Sequence, residues 1–295
     1  MKIGAIIVLY NPSTLQINNV LQTLLPQVTK VCFVDNSEQA TSIPSGDSRI
    51  EYHALHHNTG IAAAQNIGVR SLLDQGFDYL LFCDQDSIAT EGLAEKLASA
   101  YAALRSQKRK VGGVGTRAIN MQTHKRYASK SKEYEKTTLT TQTGTLTATR
   151  CSYIRSSISL VETSLFSEIG GFDSSLFIDG VDNEWCWRAA QQGYQFFIVE
   201  EATIEHQLGE GDRKLLSKDI AISSAFRSYF QFRNYLWLCR RKYVPGWWKR
   251  RHLFKYMAKS IYYPVFVAPR GRYASEIFRG CVDGLFKSNK ADTTF

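Results

Sequence analysis

No two cysteines in this chain of 295 residues are spaced Cys-x-x-Cys, and the six present (Cys32, Cys83, Cys151, Cys186, Cys239, Cys281) are scattered. That absence argues against a zinc ribbon or a dithiol redox centre. Cys32 and Cys83 sit in apolar runs, where reduced core thiols are expected. No apolar stretch reaches the roughly 18 residues of a membrane-spanning helix. No signal peptide precedes the first strand, so a cytoplasmic location is expected. No internal repeat is visible. Charge of either sign is nearly balanced through residue 239, with 23 Lys/Arg against 24 Asp/Glu; the net +9 comes from the remainder, which holds 13 against three. No nucleic-acid motif accompanies that basic tail, so no nucleic-acid partner is expected. What the chain does have is an ordinary globular share of hydrophobic residues, 44%. That is enough for one large core with an appended helical piece.

The organisation is that of an α/β protein. Lys2–Tyr10 is a near-continuous, β-branched apolar run, the mark of a strand buried on both faces. Asn11-Pro12 ends it, and Ser13 can cap a helix carrying Leu15, Val20, Leu21, Leu24 and Leu25. Strands are predicted at Lys30–Val34, near Ile50–Leu55 and at Tyr79–Cys83, with helices at about 60–75 and 90–106. Strand–helix alternation with short joins predicts a mostly parallel sheet covered by helices. The segment 117–155 reads as irregular or antiparallel β structure, and 156–169 as apolar and helical. Short strands follow at 196–199 and 202–204, then a long aromatic and basic helix over about 221–241. Val244-Pro245-Gly246 marks a break before the tail.

Ligands in such sheets bind at the carboxyl ends of the strands. Tyr10, Asn11, Asp35 and the pair Asp84-Gln85-Asp86 all fall there. Two carboxylates two apart at a strand end can converge on one hard divalent cation that keeps places for phosphate oxygens. Asn58-Thr59-Gly60 opens a helix whose small residues, with Asn66, would let a diphosphate approach backbone amides, or would simply pack tightly on the sheet. Asp182 and Glu184 open another helix, as dipole-stabilising residues or as a general base able to take a proton from an attacking hydroxyl. His206 follows a strand and precedes a glycine-rich stretch, where it becomes a candidate metal or phosphate ligand.

Taken in order, IIVLYN, VDNS at Asp35, NTGIAAAQNIG at Asn58–Gly68, DQDS at Asp84, GGFD at Gly170–Asp173 and FIDGVDNEWCWR at Phe177–Arg188 resemble inverting glycosyltransferases of family 2 with the GT-A fold. The resemblance covers about residues 2–240. The forms DQDS and FIDGVDNEWCWR, with FRSYFQFRN at Phe226–Asn234, are similar to bacterial rhamnosyltransferases of O-antigen and capsule assembly. The resemblance implies a nucleotide-sugar donor, with dTDP-rhamnose first and UDP-galactose, UDP-glucose or UDP-N-acetylglucosamine as alternatives; a non-catalytic glycan-binding module is the other class. It implies that Asp35 reads the base, and that Asp84 meets the nucleotide sugar or the metal. Asp86 and His206 would serve Mg2+ or Mn2+. Asp182 would be the base with Glu184 in support, and Arg227, Tyr229 and Arg233 would grip phosphates. Val181 stands where the family usually has Glu, which leaves the base role to Asp182 alone. The Gln-x-x-Arg-Trp signature of processive synthases is absent, and addition of a single sugar is expected.

The chain is thus expected to hold a GT-A domain over 1–240 (nucleotide-binding half about 1–115, acceptor half about 116–240) and a basic amphipathic helical region over 241–295. In that region Trp247, Phe254, Met257, Ile261 and Val265 can form one helix face, with Lys249, Arg251, Lys255 and Lys259 beside or opposite it. Such a helix either lies on an anionic membrane surface or packs on the domain. The resemblance implies a glycan acceptor on polyprenyl diphosphate, which favours a peripheral membrane location.

Overall fold

The apolar run after Lys2 becomes β1 (Ile3–Leu9), and the Asn11-Pro12 break hands over to α1 (Thr14–Thr23) through a capping box. The Ser13 hydroxyl accepts from the Gln16 amide while the Gln16 side chain accepts from the Ser13 amide, satisfying two of the donors a helix start leaves open. The chain continues through β2 (Lys30–Asp35), β3 (Ile50–Ala54), α2 (Ile61–Asp74), β4 (Tyr79–Asp84), β5 (Ser87–Ala89) and α3 (Leu93–Ser106). Next come β6 (Val111–Asn120), β7 (Glu133–Thr141), β8 (Gly144–Cys151), β9 (Ile158–Glu162), α4 (Ser164–Ile169), α5 (Val181–Ala190) and β10 (Gln195–His206). Three long helices close it: α6 (Ala225–Arg240), α7 (Gly246–Phe266) and α8 (Arg270–Phe286). This computed structural model describes all residues except 45, 121–130, 143, 156, 207–211, 216–217, 288–289 and 295, and omits the side chains of 118–120, 205–206, 212–215 and 218–221.

One sheet runs β3-β2-β1-β4-β9-β6-β10-β8-β7, with β5 added against β10. Its first four strands are parallel. From β9 onward it is mixed: β9 is antiparallel to both β4 and β6, β10 is parallel to β6, and β8 and β7 follow antiparallel. The segment read as helical over 156–169 is therefore a strand and then a short helix. Ile158–Leu160 lie between two strands and are buried, and a five-residue apolar run has no period that separates strand from helix. The two short strands expected at 196–204 are one strand, interrupted by a register shift between Val199 and Thr203.

Apolar residues on the two faces of this sheet form two cores, one under α1 and α3 and one under α2, α4 and α5. The second core takes in Tyr235, Trp237 and Leu238 of α6 and Trp248 of α7, so the tail helices are joined to it. α8 lies close against α6, because a Cβ at Gly280 would stand 2.5 Å from the Tyr229 carbonyl oxygen. Past α8 the chain returns to the GGFD loop: the Gly171 amide donates to the Thr293 carbonyl (2.9 Å), and the Asp292 amide donates to Asp173 Oδ1 (2.9 Å).

Candidate active site

Parallel register puts three strand ends side by side: Leu9 pairs with Asp35, and Val8 pairs with Asp84. Beyond them the backbone turns under visible constraint. Asn11 has φ of 45° and its amide donates to Ser37 Oγ (2.7 Å). The Tyr10 amide donates to Gln85 Oε1 (2.8 Å), and the Gln85 amide returns a longer bond to the Tyr10 carbonyl (3.4 Å). Gln85, expected to touch the nucleotide sugar, spends its amide clasping the ends of β1 and β4. The Tyr10 ring stands half exposed at the same rim.

Asp35 is fully buried. Its carboxylate accepts from the Ser37 amide (2.9 Å), the Thr41 amide (2.8 Å) and the Tyr52 hydroxyl (2.8 Å). Burial pushes this carboxyl up, but the bonds from Ser37, Thr41 and Tyr52 outweigh it and hold it below the ordinary range, as several donors to one carboxylate do. Asn36 extends the brace: its Nδ2 donates to the Gly60 carbonyl (3.1 Å) and its Oδ1 accepts from the Thr59 amide (3.1 Å).

The helix start at Asn58-Thr59-Gly60 corrects an expectation. Asn58 Oδ1 accepts from the Gly60 amide (2.9 Å), and the Phe177 carbonyl takes the Ile61 amide (2.8 Å). The first free amide of α2 is thereby consumed by the 177 loop and is not left for a diphosphate. Gly60 is required for a different reason: its φ is +83°, and a Cβ would stand 2.5 Å from the Phe177 ring and 2.7 Å from its carbonyl oxygen. Gly60→Ala is expected to lower stability by about 1–3 kcal/mol through clash and strain. A thermal melt checks it, at roughly 2–4 °C per kcal/mol for a chain of this size; an unchanged melting temperature would mean that the 177 loop yields.

Three further residues are corrected in the same way. Asn66 is buried and ties α2 to the GGFD loop, donating to the Phe172 carbonyl (2.8 Å) and accepting from the Phe172 amide (2.8 Å). Glu184 is buried completely, accepting from Arg188 Nε (2.9 Å) and the Tyr243 hydroxyl (2.5 Å), with Arg241 Nη1 at 3.4 Å. Arg233 is buried under Trp237 (4.2 Å to the ring) and donates to the Ser175 carbonyl (2.7 Å). Nucleotide, base-supporting and phosphate roles do not suit groups whose polar atoms are committed inside the protein. Tyr229 likewise gives its hydroxyl to Asp283 of α8 (2.6 Å).

What does converge is a set of carboxylates. Asp84, the last residue of β4, and Asp86, on the turn to β5, are half-buried. Asp182, in the first turn of α5, lines a small cavity with Phe82, Ile154 and Phe172. Phe82 and Asp84, two apart on β4, share a face of the sheet, so Asp182 stands on the side to which Asp84 points. Burial, then the charges of Asp86 and Asp182, push the Asp84 carboxyl up to about 7; Arg155 and Arg227 pull the other way. Hard oxygen ligands short of positive charge are the donor set that suits a divalent cation. Strand pairing brings His206 directly across from Ser87, next to Asp86; its side chain lies outside the described residues. Arg227 caps the rim, gripping Asp179 with two bonds of 2.8 Å. Asp179 itself is held at φ of 64° immediately before the helix that bears Asp182.

Among the described residues, one group of three potential ligand atoms lies within 4.8 Å of one another, and it is elsewhere: Cys32, Glu51 and His53. Glu51 is already occupied by Lys30 and Gln75 as well as His53. Burial pushes the Cys32 thiol far above its ordinary value.

Sequence reasoning missed Arg155, and it missed that Lys255 and Lys259 lie within reach of Asp179's charge. Asp179 acts on both lysines, and Arg155 acts on Lys255 as well as on Asp84. Helical spacing showed that the lysines share a row but not what the row faces.

Against known proteins, the family model described as glycosyl transferase family 2 matches residues 5–159. The dTDP-rhamnosyl transferase RfbF of Shigella flexneri is 31% identical over 252 residues, covering 83% of this chain and 82% of that protein. Two solved structures share the fold at low identity. GalNAc-T7, crystallised with UDP, GalNAc and Mn2+, matches 91% of the chain with a TM-score of 0.53 and 13% identity; TarS of S. aureus matches 92% with 0.50 and 14%. The chain spans 58% and 45% of those two structures' own lengths.

Proposed function

The chain belongs to glycosyltransferase family 2, and from that premise we propose that this glycosyltransferase moves a single L-rhamnose from dTDP-β-L-rhamnose to a hydroxyl of a lipid-linked glycan. The convergence of Asp84, Asp86 and Asp182 beside the Arg227 rim is the observation that carries the reading. Asp182 takes the proton of the attacking hydroxyl. The new bond forms at the anomeric carbon from the face opposite the nucleotide, the bond to the diphosphate oxygen breaks, and dTDP leaves; a β-linked donor gives an α-rhamnoside. Asp84 and Asp86, with His206, would hold Mg2+ or Mn2+, which when bound offsets the charge of the leaving diphosphate. Rhamnose as the sugar is supported by the relative's identity over most of both chains and by the DQDS form of the Asp84 motif.

The acceptor's lipid is supported by the outer surface of the tail helices. Phe254, Met257, Ile261 and Phe266 on α7 and Phe278 and Phe286 on α8 are exposed, in a stretch that carries 13 Lys/Arg from residue 240 on. Such a surface suits the headgroup region of an anionic leaflet. Among the described residues, no helix is long and apolar enough to cross a membrane.

Metal-dependent turnover of dTDP-rhamnose tests the reading. The native protein is expected to hydrolyse it slowly, or transfer from it, only with Mg2+ or Mn2+, and Asp86→Asn to lose about a hundredfold or more of that rate. If neither hydrolysis nor transfer occurs with any metal, the donor assignment is wrong. If Asp86→Asn keeps full metal-stimulated turnover, Asp86 is not a ligand.

A further inference from the structure

At 100° per residue, α7 carries three rows along its length. Trp248, His252, Tyr256 and Tyr263 face inward: Trp248 packs against Trp187 (5.0 Å between ring centres), Tyr256 against Tyr235 (4.8 Å), and Tyr263 against Tyr273 (5.2 Å). Trp187 is on α5, so this row fastens α7 to the helix that bears Asp182. Phe254, Met257 and Ile261 form a second row that stays largely exposed, at 71%, 57% and 68%. Arg251, Lys255 and Lys259 form the third, between the other two.

Through Lys259 that third row meets the Arg227 rim of the carboxylate site. Lys259 Nζ donates to Gln231 Oε1 (2.9 Å). Gln231 stands one helical turn beyond Arg227, whose guanidinium grips Asp179. Asp179, the acid that acts on both lysines, is itself gripped by Arg227. Desolvation, then the Lys259 charge, holds Lys255 below the ordinary lysine value, and desolvation does the same to Lys259. A helix that merely adhered to an anionic leaflet would gain nothing from aiming its lysines at the reaction centre. A phosphate lying between the exposed apolar row and the carboxylates would meet ammonium and guanidinium donors on one side and leave its alkyl chain on the other.

We propose that Arg251, Lys255 and Lys259 are the seat of the acceptor's own phosphate, an amphiphilic phosphate ester whose hydrocarbon chain lies along Phe254, Met257 and Ile261 while its sugar reaches Asp182. The proposal rests on the reading of the acceptor as lipid-linked. It assigns α7 to the acceptor and not to the donor nucleotide, and makes the basic row a specific site as well as a source of leaflet attraction.

Binding of farnesyl diphosphate, inorganic pyrophosphate and farnesol to the full chain, followed by tryptophan fluorescence without nucleotide or metal, separates the sources. Farnesyl diphosphate is expected to bind at least roughly tenfold more tightly than either fragment, because both rows are used. Lys255→Gln/Lys259→Gln is expected to lose roughly tenfold of that affinity. Phe254→Ser/Ile261→Ser is expected to bind farnesyl diphosphate no better than pyrophosphate. Glutamine preserves helix propensity at these surface positions, and unchanged circular dichroism guards against misfolding. Equal binding by the lysine variant overturns the proposal. So does pyrophosphate binding as tightly as farnesyl diphosphate, which marks a free-phosphate or donor-diphosphate site, or farnesol binding as tightly, which marks a greasy surface only. None of these measurements uses a nucleotide sugar, so a wrong donor assignment leaves them standing.

Discussion

Asp182→Asn is expected to lower the turnover number for sugar transfer by about two to four orders of magnitude, the span that a positioned general base supplies. The substitution keeps size and shape, and asparagine is tolerated in a first helical turn, so α5 should stay folded. What disappears is the lone pair that takes the acceptor's proton. Donor affinity should hardly move, since Asp84 at the end of β4 and Asp86 on the turn after it remain in place. Donor-induced thermal stabilisation should therefore persist, at about 2.7 kcal/mol for a hundredfold excess over Kd. The discriminating measurement is the pair of kinetic constants. A fall confined to the turnover number, with the donor KM preserved, belongs to a group acting on the proton in the transition state. A rise in the donor KM with little change in turnover would make Asp182 a donor ligand, and activity within a few fold of native would remove it from the chemistry altogether.

The second large effect falls on stability. Arg241→Ala is expected to cost about 3–5 kcal/mol, because it strips the partner from charges that water cannot reach. The Arg241 side chain is 6% exposed, and those of Asp173 and Glu184 are 0%. Arg241 bonds to Asp173 and stands 3.4 Å from Glu184, which also holds Arg188. Burial works against the guanidinium charge, but Asp173, Tyr243 and Glu184 outweigh it and raise its pKa. A loss of this size is a large part of the roughly 5–15 kcal/mol that separates a folded domain from its unfolded chain. Urea titration decides the matter: the midpoint should fall at constant slope. A shift worth under about 1 kcal/mol would mean that the pocket admits water and behaves as an exposed pair does. The contrast is Arg227–Asp179 at the rim, where the arginine is 48% exposed; Arg227→Ala should leave the midpoint nearly alone.

The sequence made the strand ends legible because their signals are local. An apolar run followed by Asp84-Gln85-Asp86 is a strand and its exit, and the parallel register then brings Asp35 and Asp84 together. Asp182 was equally legible as an acid in a first turn. Asn66, Glu184 and Arg233 were not, since residue type alone cannot tell a ligand from a brace. Asn66 finds its partner 106 residues away and Arg233 finds one 58 away, and only tertiary packing reveals that such polar atoms are spent. The β9 strand was missed for a related reason: its identity comes from its neighbours β4 and β6, not from its own five residues. Helical period separated the tail's apolar face from its basic residues, but the inward row of Trp248, His252, Tyr256 and Tyr263 and the direction each row faces depend on Trp187 and Gln231, which lie outside the helix.

The Asp173–Arg241–Glu184 cluster also bears on the order in which the molecule can be completed as it is made. Chains fold from the N-terminus as they emerge. The four parallel strands need nothing beyond Asp84 to pair with one another, so that half can close early. The helix bearing Asp182 cannot reach its final electrostatic balance until Arg241 has emerged, nor the GGFD loop until Asp292 and Thr293 have returned to it. Any shortened chain ending before Arg241 therefore leaves Asp173 without its ion-pair partner and Glu184 with Arg188 alone, as the alanine variant does, and a segment made later finishes the helix that bears Asp182.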